Sequence, residues 1–328
     1  MAAPLEIAMV LPEDAPVGSG NRVSAGRWSA MLRAGGHRVR ELEAPGQHAD
    51  YAGLDLWIGL HAERSSSSLD LALTRAPGLR AITVLTGTDL NREGGPSEST
   101  QDQLDRSNRL VILNKSARRL VPEPLQDRVR YLPQVPTGID PIPVRQAPTA
   151  TLAMLGHLRP VKDPEVVLRA LENLPRGLGL RVLHAGKPLC AELEQACLNA
   201  SRNPSLPYQY LGPVDRTAAL GILAESQGLL LPSRSEGGAS VLSEALLTGR
   251  AVISSDAPGI TSFLPDDYSG TFAIGDDRQL GERLERFATD AEWRHQLTEL
   301  CASAGEQLRG FDEARGWLEL VCELKSAR

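Results

Sequence analysis

Residues 228–249 read GLLLPSRSEGGASVLSEALLTG and decide the fold class of the chain. The apolar run 228–231 predicts a buried strand, and the residues after the glycines have helical spacing. Strand, turn and helix are therefore expected in that order. Gly237 and Gly238 let another group approach the backbone closely, and the N–H groups at a helix start bind phosphate. With Ala239 they form a predicted substrate-binding turn.

The alternation of short apolar runs and helical segments continues along the chain, which predicts an α/β protein with mostly parallel sheets. The other predicted strands are residues 5–11, 38–42, 54–60, 80–85, 110–113, 128–132, 151–155, 180–184, 208–211 and 251–254. Residues 133–148 contain five prolines and show no periodicity, which indicates a linker or hinge.

This pattern predicts two domains and a final helix. We place an N-terminal domain at residues 1–140 and a C-terminal domain at residues 141–310. Residues 311–328 have apolar positions at helical spacing, which predicts an amphipathic helix. We expect it to pack back on the N-terminal domain, although periodicity alone does not identify its partner.

The composition argues against several classes of protein. Aromatic residues make up 4% of 328 residues and acidic residues outnumber basic ones 41 to 35, unlike most nucleic-acid-binding proteins. No apolar stretch approaches the ~20 residues of a membrane helix, and no basic region precedes the first one. We therefore expect no membrane association and a cytoplasmic location. The four cysteines and six histidines lack metal-binding spacing, so neither a metal nor a cofactor is expected.

Two carboxylates flank the predicted helix start. Glu236 and Glu244 are eight residues apart, which is ~12 Å of helix rise and too far for one acid/base pair. We therefore expect both to accept hydrogen bonds from hydroxyl groups, one set on a sugar and the other on a ribose.

A second group of polar residues, GHLRPVKD at 156–163, follows a predicted strand, and such loops bind ligands in α/β sheets. Arg159 supplies a planar fork of donors and Lys162 a point charge, which suits a diphosphate whose charge grows as it leaves. Lysine is scarce in this chain, which favours a specific role for Lys162. Asp163 precedes a proline and predicts a helix N-cap.

These motifs resemble the nucleotide-sugar half of family-four glycosyltransferases with the GT-B fold of two Rossmann-like domains. The resemblance covers roughly residues 150–265 and rests on GHLRPVK at 156–162, Gly212-Pro213, LPSRSEG at 231–237, Glu244-Ala245 and SDAPG at 255–259. It implies that Arg159 and Lys162 hold the donor diphosphate, that Glu236 contacts the donor sugar and that Glu244 binds the ribose. It also implies metal-independent transfer. The chain departs from the family after Glu236, where many relatives carry an aromatic residue between two glycines.

The N-terminal half narrows the resemblance. GSGNRVSAGRW at residues 18–28 lacks the third glycine of a dinucleotide-binding motif, which argues against a nicotinamide enzyme. With GLHAERS at 59–65, LTGTDL at 85–90 and the loop 156–163, it resembles the selenosugar synthases of bacterial selenoneine biosynthesis, nearly end to end. That resemblance implies transfer of a hexosyl group from UDP-GlcNAc or UDP-glucose to selenophosphate. The products are UDP, phosphate and a 1-selenosugar.

The predicted acceptor side is cationic, because the donor diphosphate and selenophosphate are polyanions that must meet in one cleft. The predicted substrate-binding residues of the N-terminal half are Gly18, Gly20, Asn21, Arg22, Arg27 and Asp89. Arg22 is the first choice for the acceptor anion, whereas Arg27 alternatively pairs with an acid on its own helix. Closure of the domains about the linker would exclude water.

His61 ends the predicted strand 54–60, and the resemblance places it near the hydroxyls of the donor sugar. It therefore joins Arg159, Lys162 and Glu236 as a predicted catalytic residue. The role of Asp89 stays open between orienting the acceptor, holding a loop and capping a helix.

Two other functions stay open at this point. One is ordinary family-four transfer to an alcohol or lipid acceptor, and the other is UDP-sugar binding without turnover. The sequence does not specify the preferred UDP-sugar, retention or inversion at the anomeric carbon, how the phosphoryl group leaves selenium, or the oligomeric state.

Overall fold

The computed structural model describes residues 3–12, 15, 19–44, 51–90, 97–144 and 147–326. The chain divides into two compact units, one formed by residues 1–134 with 311–328 and the other by residues 135–310. The first break lies a few residues before the predicted boundary at 140. Within the described residues, no helix is both long enough and apolar enough to cross a membrane.

The described residues form two parallel sheets of six strands, one in each unit. The strands are β1 (Glu6–Leu11), β2 (Arg38–Glu43), β3 (Leu56–Leu60), β4 (Arg80–Leu85), β5 (Arg109–Ile112) and β6 (Val129–Tyr131), then β7 (Ala150–Leu155), β8 (Leu180–Ala185), β9 (Tyr208–Gly212), β10 (Gly228–Leu231), β11 (Ala251–Ser255) and β12 (Thr271–Phe272). Every predicted strand is present, and the predicted α/β class is confirmed. Only β12 was missed, because two residues carry no periodicity.

Helices make the crossovers that parallel strands require. They are α1 (Gly20–Ala34), α2 (Ala62–Arg75), α3 (Gly87–Leu90), α4 (Glu98–Arg106), α5 (Pro164–Glu172), α6 (Ala191–Arg202), α7 (Arg216–Glu225), α8 (Ser240–Leu247), α9 (Pro258–Thr261), α10 (Asp277–Thr289), α11 (Ala291–Arg309) and α12 (Glu313–Ser326). Short 3-10 helices cover Lys115–Leu120, Glu123–Arg128 and Pro160–Lys162.

The strand order fixes where each unit can bind a ligand. The N-terminal sheet has the order β2-β1-β3-β4-β5-β6, and the C-terminal sheet has the order β12-β11-β10-β7-β8-β9. The direction of winding reverses between β1 and β3 in the first sheet and between β7 and β10 in the second. In open α/β sheets the ligand crevice lies outside the carboxyl ends of the strands at this reversal. The loops after β1 and β3, and those after β7 and β10, therefore lie at the expected binding edges.

The last helix, α12, completes the core of the N-terminal unit. The ring of Trp317 lies 5.0 Å from that of Trp28 on α1. Glu313 Oε1 accepts hydrogen bonds from Trp28 Nε1 at 2.6 Å and from Arg27 Nη2 at 2.9 Å. Because Trp28, Glu313 and Trp317 are buried, these contacts join the end of the chain to its beginning.

A buried histidine supports the loop after β7. His184 on β8 lies with Nδ1 2.6 Å from the Tyr208 hydroxyl and Nε2 3.3 Å from the Gly156 carbonyl oxygen. A carbonyl only accepts, so Nε2 carries the proton and Nδ1 accepts from Tyr208. Burial lowers the pKa of His184 to about 4. The neutral ring therefore holds the backbone at Gly156, where the loop begins.

We expect His184 to make the unfolding free energy depend on pH, with a loss of about 2 kcal/mol between pH 6.5 and pH 5. The side chain stays neutral in the fold, because its pKa is about 4, but binds a proton in the unfolded chain below pH 6.5. Acidification therefore favours the unfolded state. Urea unfolding of the wild type and of His184→Gln at pH 7, 6 and 5 measures the effect. His295→Gln, at an exposed position of α11, is the control, and an equally steep slope in His184→Gln contradicts the assignment.

Candidate functional site

The two polar loops of the C-terminal unit meet at the reversal of its sheet. Residues 156–163 follow β7 and residues 232–239 follow β10, and these two strands are hydrogen-bonded neighbours. Arg234 N donates to Val161 O at 2.8 Å, which joins the loops through the main chain. The fold thus brings together two motifs that were recognised separately in the sequence.

Lys162 and Glu236 form the centre of this site. Lys162 Nζ pairs with Glu236 Oε1, and the Ser233 hydroxyl donates to the same oxygen at 2.6 Å. Glu236 is only 8% exposed, so its carboxylate is held in a mostly buried position by a cation and a hydroxyl. Arg159, by contrast, is exposed at the start of the 3-10 helix that carries Lys162.

Two glycines let neighbouring loops approach these residues closely. A Cβ atom on Gly186, which follows β8, would lie 1.9 Å from the Gly156 carbonyl oxygen. A Cβ atom on Gly259, in the turn after β11, would lie 1.8 Å from the Glu236 carbonyl oxygen. Gly259 belongs to a motif quoted from the sequence, but Gly186 was missed. Its position directly after a predicted strand was the signal available.

The second carboxylate, Glu244, lies on α8 and is 7% exposed. Its Oε1 is 2.7 Å from Nη1 of Arg216, the first residue of α7, which sequence reasoning did not select. Gly237, Gly238 and Ala239 lead into α8, and Ala239 occupies the N-cap position with no side-chain cap. Three small residues therefore lead into this helix.

Asp163 occupies the N-cap position of α5, as predicted, and Pro164 follows it in the first turn. Its backbone is left-handed (φ 44°, ψ 54°), however, and its side chain makes no capping hydrogen bond. Asp163 Oδ2 lies instead 2.8 Å from Nη2 of Arg234. The position was therefore predictable from the sequence, but this ion pair, which has no local sequence signal, was not.

The N-terminal unit places Gly20, Asn21 and Arg22 in the first turn of α1, at the carboxyl end of β1. Arg22 Nη2 donates to the Ala15 carbonyl oxygen at 2.9 Å and pairs with Glu43 at the end of β2. Gly18, also predicted to bind substrate, lies outside the described residues. The helix start therefore presents one half-exposed cation.

Arg27 lies elsewhere on α1. Its Nη2 contacts Gln134 Oε1 at 3.1 Å and Glu313 Oε1 at 2.9 Å. The alternative interpretation placed the acidic partner of Arg27 on the same helix. In the structure the partner, Glu313, lies on α12 instead. The structure does not bring Arg27 to the partners of Arg22, and its observed contacts stabilise the N-terminal unit.

His61 and Asp89 form a buried pair at the carboxyl ends of β3 and β4. His61 Nδ1 lies 2.6 Å from Asp89 Oδ1, and His61 has a positive φ of 69°. Asp89 Oδ2 accepts hydrogen bonds from the backbone N–H and the hydroxyl of Thr86. Of the roles left open for Asp89, the structure shows that it holds a loop, and it also orients His61.

No cluster of three or more histidine, cysteine, aspartate or glutamate side chains suited to a metal ion occurs among the described residues. The charged side chains of the two C-terminal loops form the ion pairs Lys162–Glu236 and Arg234–Asp163 at the sheet edge.

A family model matches most of the C-terminal unit. Residues 140–301 match the profile described as Glycosyl transferases group 1. A D-inositol 3-phosphate glycosyltransferase of Mycobacterium marinum is 28% identical over 195 residues, which cover 54% of this chain and 41% of that protein. The protein of the same name from Mycolicibacterium smegmatis is 27% identical over 180 residues, 49% of this chain and 41% of that protein. The chain therefore spans about two fifths of the length of these curated relatives.

Solved structures match nearly the whole chain. Anabaena HepE in complex with UDP and glucose has a TM-score of 0.72 at 14% identity, covering 98% of this chain and 100% of that chain. Sucrose-phosphate synthase of Thermosynechococcus elongatus has a TM-score of 0.78 at 13% identity, covering 99% and 100%. These likenesses confirm the GT-B fold that the sequence resemblance implied.

We expect Gly186→Ala to lower the unfolding free energy by about 1–3 kcal/mol, because the new methyl group overlaps the backbone at Gly156. Gly221→Ala is the matched control, since a Cβ atom at this position of α7 meets nothing within 4 Å. That control is expected to gain about 0.5–1 kcal/mol from better helix propensity. Urea unfolding of both variants measures the difference, and equal stabilities would contradict the close approach.

Proposed function

Because residues 140–301 match the family model for Glycosyl transferases group 1 and the chain has the GT-B fold, we propose that it transfers a hexosyl group from a UDP-sugar to selenophosphate. Selenium forms a bond to the anomeric carbon while the bond from that carbon to the UDP oxygen breaks. Water then cleaves the phosphorus–selenium bond and releases phosphate. The products are UDP, phosphate and a 1-selenosugar.

The donor half of the proposal is carried by one observation, the Lys162–Glu236 pair at the reversal between β7 and β10. A leaving UDP gains negative charge, and we assign its stabilisation to Lys162, Arg159 and the start of α8. When the diphosphate takes Lys162, the carboxylate of Glu236 is released to accept hydrogen bonds from sugar hydroxyls. Glu244, deeper on α8, is assigned to the ribose hydroxyls. These cations do the work of a metal ion, so the proposed reaction is metal-independent.

The acceptor half rests on the sequence resemblance and is supported by Arg22. This cation starts α1 beside the reversal between β1 and β3, and its partner Glu43 is 61% exposed. An exposed ion pair contributes little energy, so an arriving anion competes well for Arg22. Selenophosphate is already an ionised, soft nucleophile and needs little help from a base. His61, oriented by Asp89, is assigned to the hydroxyls of the donor sugar.

A phosphorylated alcohol is the second candidate acceptor. The curated relatives are named D-inositol 3-phosphate glycosyltransferases, and that acceptor also carries an anionic group. The positive charge of Arg22 suits either anionic acceptor. The nucleophilic atom distinguishes them, because one product contains a carbon–selenium bond and the other a carbon–oxygen bond.

A UDP-release assay tests the proposal directly. UDP-GlcNAc and UDP-glucose are each incubated with the protein alone, with selenophosphate and with D-inositol 3-phosphate, and the products are identified by mass spectrometry. We expect stimulation by selenophosphate and a product carrying the isotope pattern of selenium. Release only with D-inositol 3-phosphate would favour the second candidate. Release with neither, together with tight UDP binding, would indicate a binding protein.

Lys162→Met is expected to lower kcat by about 100-fold to 1,000-fold, because it removes a cation that acts on the leaving diphosphate. Lys115→Met, which changes a lysine of the N-terminal unit near the Tyr131 ring, is the charge-matched control. Steady-state UDP release measures both variants. Similar kcat values in the two would remove Lys162 from the proposed mechanism.

Arg22→Gln is expected to raise the KM for selenophosphate about fivefold to tenfold and to leave the KM for the UDP-sugar unchanged. Glu43→Gln is expected to lower the KM for selenophosphate, because it removes the carboxylate that competes for Arg22. Arg38→Gln, which breaks an exposed pair with Glu6 in the same sheet, is the control. Equal effects on both substrates would contradict an acceptor role for Arg22.

A further inference from the structure

Two ion pairs of opposite direction join the loops after β7 and β10. Lys162 of the first loop pairs with Glu236 of the second. Arg234 of the second loop pairs with Asp163 of the first, with Nη2 2.8 Å from Oδ2. Arg234 also donates its backbone N–H to Val161. Each loop therefore gives one cation and one carboxylate to the other.

Asp163 has two features that are unfavourable for an aspartate at a helix start. Its left-handed backbone is uncommon outside glycine, and its carboxylate does not cap α5 although it occupies the N-cap position. Both departures cost stability, and such costs concentrate at functional sites. Asp163 is 4% exposed, so its carboxylate depends on the pair with Arg234.

The left-handed residue also determines the direction of Lys162. Asp163 N donates to the Pro160 carbonyl oxygen at 3.1 Å and ends the 3-10 helix Pro160–Lys162. A left-handed residue at this position stops one helical turn and lets the chain enter the next helix. Lys162 is the last residue of that turn, so the conformation of Asp163 sets where its side chain points.

We propose that Arg234 is a positioning residue of the donor site, which acts by holding Asp163 left-handed and thereby aims Lys162 at the phosphate position. The inference rests on the proposed function, in which Lys162 leaves Glu236 for the donor diphosphate. During that exchange the first ion pair opens. The pair between Arg234 and Asp163 stays closed and keeps the two loops together.

The surroundings of Arg234 fit this role. Gly275, in the turn after β12, has a φ of 78°, and a Cβ atom there would be in ordinary van der Waals contact with Arg234 Nη2 at 3.5 Å. A third loop therefore passes beside the guanidinium. The side chain of Arg234 is 54% exposed while that of Asp163 is buried, so the arginine reaches in from the surface to a fixed acid.

Kinetics of four variants test the proposal. Arg234→Met is expected to lower kcat about tenfold or more with a smaller change in the KM for the UDP-sugar, because a misplaced Lys162 fails chiefly at the leaving step. Asp163→Gly adopts the left-handed conformation without a partner. The double variant with Arg234→Met and Asp163→Gly is therefore expected to recover most of the kcat. Arg169→Met, which breaks a pair with Asp277 in the same unit, is the control, since the Arg169 side chain is 46% exposed and that of Arg234 is 54% exposed.

A second measurement does not depend on activity. Trace acetylation with acetic anhydride, followed by mass spectrometry, gives the relative reactivity of the chain's four lysines. Arg234→Met is expected to raise the reactivity of Lys162 about fivefold relative to Lys115 and Lys325. The double variant is expected to return it to the wild-type value, and Arg169→Met to leave it unchanged.

The outcomes separate the inference from the proposed function. Unchanged kcat and unchanged Lys162 reactivity in Arg234→Met, with only a lower unfolding midpoint, would show a merely structural arginine and overturn the inference. If the double variant recovers neither kcat nor the reactivity of Lys162, Arg234 acts directly on the substrate. That result would also overturn the inference. The expected labelling pattern in a protein that releases no UDP with any acceptor would uphold the positioning of Lys162 and reject the proposed function.

Discussion

The carboxylate of Glu236 is buried, and that constraint organises the proposed donor site. An ionised group removed from water needs a cation or strong hydrogen bonds, and here Lys162 and Ser233 supply them. The partners are 74 residues apart in sequence. They meet because parallel strands deliver their loops to one edge, and because the reversal between β7 and β10 opens a crevice there.

The second buried carboxylate of this site also pairs with a cation that is more exposed than the acid. Glu244 is buried on α8, whereas the side chain of its partner Arg216 is 46% exposed. In both pairs the acid is fixed on the scaffold and the cation is the more exposed member. A ligand that brings phosphate and hydroxyl groups can therefore draw the cations away and offer hydroxyls to the acids. Under the proposed function the same side chains exchange partners, so little has to be rebuilt on binding.

The sequence predicted the strands, both polar loops and the residues at their centre, because hydrophobic periodicity and loop motifs are local signals. Arg216, Arg234 and Gly186 were missed for the opposite reason, since each acts on a loop distant in sequence. The N-cap position of Asp163 was predicted for the same local reason, but its long-range pair with Arg234 was not.

Helix geometry places the two arginines of the predicted acceptor site on different faces of α1. Arg22 and Arg27 are five residues apart, which is about 140° around a helix, so they face different neighbours.

Two side-chain pairs of the N-terminal unit, His61 with Asp89 and Arg22 with Glu43, differ in exposure, and this contrast bears on the proposed reaction. His61 and Asp89 are almost fully buried, and Thr86 holds the second oxygen of Asp89. Such a pair keeps one orientation and suits an uncharged hydroxyl, whose recognition depends on direction. Arg22 and Glu43 are half-exposed and exposed, respectively, and water screens their attraction. That pair suits an acceptor that brings its own charge, since charge attraction depends only weakly on angle. The contrast supports our proposal that His61 and Asp89 serve the donor sugar and that Arg22 and Glu43 serve the anionic nucleophile.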